Sequence, residues 1–132
     1  MLQTFAPPLH LPRARIEPIR SATEALGVIA LAITRPLRDE LVIITCDRLR
    51  TGHSLAVFDI RSNLDELAHD VVGFVSLFHD ATSVIAASVR PTGASSAHDA
   101  TEQTLTACLA RAGLTLLNFF TVQHGEVNVT RQ

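Results

Sequence analysis

The chain has 132 residues, 47% of them hydrophobic and 18% charged, with a formal net charge of -2. That is enough apolar material for one buried core and too little chain for a second, and the charge balance gives no general pull toward phosphate backbones, which disfavours nucleic acid as a partner. No run of about 18 apolar residues is present to span a bilayer, and the start lacks the basic-then-apolar order of a signal peptide, so a cytoplasmic protein with no membrane partner is expected.

Pro7, Pro8, Pro12 and Pro18 crowd the first twenty positions. Proline fixes φ and carries no amide donor, so residues 1–20 read as an extended arm, with Arg13, Arg15 and Arg20 as solvated charges, ahead of one domain over residues 21–132. Ser21-Ala22-Thr23-Glu24 is a capping-box pattern that opens a first helix from about Ala22 to Thr34, ending before Pro36. Leu41 to Cys46 is short, β-branched and apolar, as befits a strand buried on both faces. Arg50-Thr51-Gly52-His53 reads as a turn, and Ser54 to Ile60 as the returning strand of a hairpin. Asn63-Leu64-Asp65-Glu66 caps a second helix over Leu64 to His79. Ser83 to Val89 is the next buried strand; it carries Ser88 and Arg90 to its C-terminal end, where α/β sheets usually hold their ligands. A third helix from about Ala97 closes at Gly113, Leu114 to Val122 follows as a strand, and Glu126 to Thr130 as a short last one.

The order α-β-β-α-β-α-β-(β) predicts a single α/β domain with a mixed sheet flanked by helices. Cys46 and Cys108 sit inside apolar runs with no Cys-x-x-Cys spacing, so both are expected to be reduced core thiols. His69 and His79 lie nearly three turns apart on the second helix and cannot share a metal from it. On that helix Val71, Phe74, Val75 and Phe78 cover more circumference than one buried face needs. The helix and the proline arm are therefore the expected contacts of a homodimer or of another protein partner.

The segment with most chemical content is Ser88-Val89-Arg90-Pro91-Thr92-Gly93-Ala94-Ser95-Ser96-Ala97-His98-Asp99. It resembles the zinc loop of the RadC-like branch of the JAB/MPN metalloprotease superfamily, which reads His-x-His-Pro-Ser-Gly and then, after a short loop, Ser-x-x-Asp. Asp80 to Ala87 similarly resembles the family's strand entry, and Ala110 to Leu117 its passage from the third helix into the last long strand. The resemblance covers about Ser21 to Val127 and implies the JAB/MPN, cytidine-deaminase-like layout. In that family two histidines, an aspartate and a water hold zinc, and an upstream glutamate is the general base.

Read onto this chain, the resemblance puts Ser88 and Arg90 at the histidine positions, Ser96 and Asp99 at the Ser-x-x-Asp, and the base at Asp39 or Glu40, with the loop before Ser96 about two residues short. A catalytic zinc site needs three protein ligands and an open position. Only Asp99 matches one, and a guanidinium opposes a dication. The expectation is a catalytically inactive domain without zinc or another cofactor, serving as a binding or assembly module. Two alternatives stand beside it: a hydrolase with a rebuilt site around Ser88, Arg90, His98 and Asp99, and an anion- or nucleic-acid-binding module in which Arg90, Thr92, Gly93, Ser95 and Ser96 cradle an anion at the helix start. Within the first reading Arg90 is expected to pair with Asp99, Asp39 or Glu40, replacing the charge of the metal, while Asp99 serves the helix end and His98 faces solvent.

Overall fold

The computed structural model describes residues 17–60, 63–92, 95–124 and 126–131. The elements are α1 (Ala22–Ala32), β1 (Glu40–Cys46), β2 (Gly52–Asp59), α2 (Leu64–Val75), β3 (Ser83–Val89), α3 (Ser95–Arg111), β4 (Thr115–Gln123) and β5 (Glu126–Arg131). The five strands form one mixed sheet in the order β2-β1-β3-β4-β5. β1 runs antiparallel to both β2 and β3, β3 and β4 are parallel, and β5 returns antiparallel on β4.

Local chemistry accounts for the element ends. Ser21 accepts the Glu24 amide at 3.1 Å while Glu24 accepts the Arg20 amide at 2.8 Å, so two donors at the start of α1 are satisfied reciprocally. Asn63 does the same for α2 through the Glu66 amide at 3.1 Å. Gly113 stands at φ 78, the left-handed conformation that ends α3. The first hairpin turns earlier than expected. Asp47 Oδ1 accepts the amides of Leu49 and Thr51 at 2.9 and 3.0 Å, Arg50 takes φ 64, and Gly52 and His53 already belong to β2. An Asx-type turn thus replaces the glycine turn the sequence suggested.

The strands buried on both faces separate two apolar cores. Val42, Ile44, Ile85, Ala87, Val89, Phe120 and Val122 meet Ala25 and Ile29 of α1 on one side. Leu41, Ile43, Val84, Ala86 and Phe119 meet α2 and α3 on the other, through Leu67, Val71, Val75, Leu105 and Leu109. The chain is therefore a three-layer α/β/α arrangement, as expected for a mixed sheet whose central strands are apolar throughout. Cys46 and Cys108 are both buried and free, one in each core, so the sheet keeps them apart. Burial pushes the Cys46 thiol up to about 12. Ile19 is buried in the first core, and Pro18 pairs with Thr51 beside the start of β2. No helix among the described residues is long and apolar enough to cross a membrane.

The apolar face expected on α2 is taken up in large part by the fold. Val71 and Val75 are fully buried, and Phe74, partly buried, stands edge-on to Phe58 of β2 and to Phe78, just past the helix end, at centroid distances of 6.0 and 5.5 Å.

Candidate functional site

β3 is a central strand, and its alternation sends Val84, Ala86 and Ser88 toward the α2/α3 layer. Ser88 is completely buried there, opposite Leu41 of β1. Pro91, which cannot supply a ladder amide, follows the strand, and Arg90 leaves it with one last backbone bond to Val122, at 3.0 Å. The chain then turns into α3, whose first turns cross back over this strand end.

The side chain that meets Ser88 is His98. Its Nδ1 lies 2.9 Å from Ser88 Oγ, and the ring is 2% exposed, so the solvent-facing position expected for it is wrong. One turn later Thr101, also 2% exposed, receives Arg90 Nη2 at 3.4 Å and donates to the Ala97 carbonyl at 2.9 Å. Four side chains therefore converge, Ser88 and Arg90 from the strand and His98 and Thr101 from the helix. Below Thr101 the layer closes in a small apolar recess lined by Leu41, Leu64, Leu67, Ala68, Thr101 and Leu105.

Burial, and next the Arg90 guanidinium, hold His98 below the ordinary histidine range; the carboxylates of Asp99 and Asp39 oppose them less strongly. Two buried nitrogens in this cluster, Arg90 Nε and His98 Nε2, have no hydrogen-bond partner among the described residues.

Several expected site residues lie elsewhere. Ser96 and Asp99 are exposed on α3, and Asp99 makes no hydrogen bond or ion pair with a described residue, so it is neither a ligand beside Ser88 nor a cap. Because α3 begins at Ser95, Asp99 is past its first turn, and the helix face turned to β3 carries His98 and Thr101, each two residues beyond the expected pair. Glu40 faces the opposite core: its Oε2 accepts the Thr34 amide and its Oε1 the Thr34 hydroxyl, both at 2.9 Å, with Arg38 Nε 3.9 Å away. Strand alternation puts Asp39, not Glu40, on the side of Ser88, and Asp39 is exposed. Arg90 forms no ion pair with Asp99, Asp39 or Glu40, which corrects the expected charge replacement; those carboxylates are turned to solvent or to Thr34. Thr92 is exposed, Gly93 lies outside the described residues, and so does the Ser95 side chain.

Sequence reasoning placed His98 in the site only under the hydrolase alternative and missed Thr101. The signal available for them was their spacing of three on a helix that follows directly from the strand end, which places both on one face. Among the described residues no three His, Cys, Asp or Glu side chains gather closely enough to hold a metal ion. Neither the models of known protein families nor the curated proteins yield a match to this chain.

Proposed function

We propose that this chain is a RadC/JAB-like domain that works without zinc, as a binding or assembly module. The observation that carries this reading is the content of the strand end. Ser88 and Arg90, at the two histidine positions of the resemblance, are bonded to His98 and Thr101. Asp99, the one residue at a ligand position of the resemblance, is exposed on α3 and has no hydrogen bond or ion pair with a described residue. The five-stranded mixed sheet with helices on both faces is compatible with the α/β class that the resemblance implies.

The hydrolase alternative has less support. Ser88 has a histidine neighbour, but its hydroxyl is fully buried, the far ring nitrogen has no hydrogen-bonded carboxylate among the described residues, and Asp99 is exposed.

Assembly is assigned to β2, the edge strand on which Leu55 and Val57 are 40% and 44% exposed on the α1 side of the sheet. An edge strand with two open apolar side chains favours pairing with a second copy about a two-fold axis. Sedimentation equilibrium tests it. The chain should be a dimer that Val57→Lys converts to monomer, and a wild-type chain that stays monomeric at high concentration, with no partner recovered from cells, would contradict the assembly reading.

A further inference from the structure

We propose that the polar cluster at the C-terminal end of β3 binds an oxyanion, with the Nε–H of Arg90 and the Nε2–H of His98 as its donors. This rests on reading the site as a zinc-free binding site and names what it takes up.

The hydrogen bond of Ser88 Oγ is to His98 Nδ1, at 2.9 Å, and both groups are buried. The arrangement that satisfies both has the hydroxyl donating to Nδ1, which leaves the proton of a neutral ring on Nε2. That nitrogen is buried and has no partner among the described residues. Arg90 Nε–H is buried and has none among them either, and Nη2 reaches Thr101 Oγ1 only at 3.4 Å. Thr101 gives its own hydrogen to the Ala97 carbonyl, so it brings an acceptor to Arg90 and no further donor to the cluster.

Two buried N–H groups thus remain, one of them on a guanidinium, and the described residues offer them no acceptor. Buried donors rarely stay unmet in a folded protein, because each forfeits its hydration without return. The missing partner must carry lone pairs, and beside a guanidinium with no carboxylate it is favoured to carry negative charge. The start of α3 lies at the same end of the sheet and adds partial positive charge through its first amides. Asp39 and Asp99 are the opposing charges that reach the imidazole; both are exposed, and neither pairs with Arg90. A phosphate and a carboxylate share the required chemistry.

The test is an NMR titration of the full chain with inorganic phosphate and, separately, with acetate, against sodium chloride at matched ionic strength, reading the His98 ring nitrogens and Arg90 Nε. At least one oxyanion should shift both resonances saturably, and the stronger of the two identifies the source. Arg90→Gln should weaken that binding about tenfold and Arg90→Lys by less, since lysine keeps charge but loses the fork. If Arg90→Gln fails to fold by circular dichroism, the wild-type titration and Arg90→Lys decide. No saturable shift with either oxyanion, or equal binding in the folded variants, overturns the proposal. A parallel zinc titration separates the two failures. Stoichiometric zinc uptake would sink the zinc-free reading itself, whereas absence of both zinc and oxyanion binding would sink this inference alone.

Discussion

Ser88 has no contact with water, and its hydroxyl is bonded to the His98 ring. Ser88→Ala therefore leaves Nδ1 buried and unmet, and should cost about 1–3 kcal/mol in a urea titration, whereas a surface serine such as Ser96 should cost almost nothing when changed the same way. The same pair makes stability depend on pH. The folded pKa of His98 lies below the ordinary histidine value, so the unfolded chain takes up the proton first as the pH falls. Stability is thus fully present above the unfolded value of about 6.5 and declines as pH drops below it toward the folded value. The urea midpoint should fall between about pH 8 and pH 5, and His98→Gln should remove part of that slope. An identical slope in the variant would refute the assignment. Asp47 titrates in a separate, more acidic window: burial raises its pKa, but the hydrogen bond from His53 and the amides of Thr51 and Leu49 more than offset this, so its contribution fades as the carboxylate protonates. Of the site, Ser88 and Arg90 were legible because Pro91 marks where β3 ends. The inward direction of His98 was not, because neighbouring helical residues point about 100° apart and the phase of α3 against β3 is set by packing.

The elements were the most legible level, since caps and breakers act locally. β3 runs from Ser83 to Val89 as its apolar run implies, α1 stops short of Pro36, and the caps of α1 and α2 form as their side chains dictate. Asn63→Ala should cost about 1 kcal/mol by removing the bond to the Glu66 amide. Gly113→Ala should cost about 1–2 kcal/mol through backbone strain alone, because an added Cβ meets nothing within 4 Å at φ 78. A thermal-unfolding comparison checks both; a neutral Gly113→Ala would mean that the helix end relaxes. Less legible was the fate of the apolar residues on α2. Their number exceeds one helical face, but which neighbour absorbs the excess is a tertiary matter, decided by Phe58 arriving from β2.

For the whole molecule, periodicity and element order predicted the α/β class, and the alternation of three helices with buried strands predicted a mixed sheet. What sequence pattern does not encode is which face each end residue takes. Glu40 and Asp39 are adjacent, yet one is sealed against Thr34 and the other stands at the solvent edge on the side of Ser88. On the proposed reading, the polar cluster of Ser88, Arg90, His98 and Thr101 at this strand end works without zinc. The most direct measurement is the zinc content of the purified full chain after dialysis, by inductively coupled plasma mass spectrometry, repeated after incubation with excess zinc. Ser88, Arg90 and Thr101 offer two hydroxyls and a cation around a single imidazole, a donor set that does not retain a divalent ion. No stoichiometric zinc is expected in either sample; one zinc per chain that survives dialysis and is lost in His98→Ala would contradict the zinc-free reading.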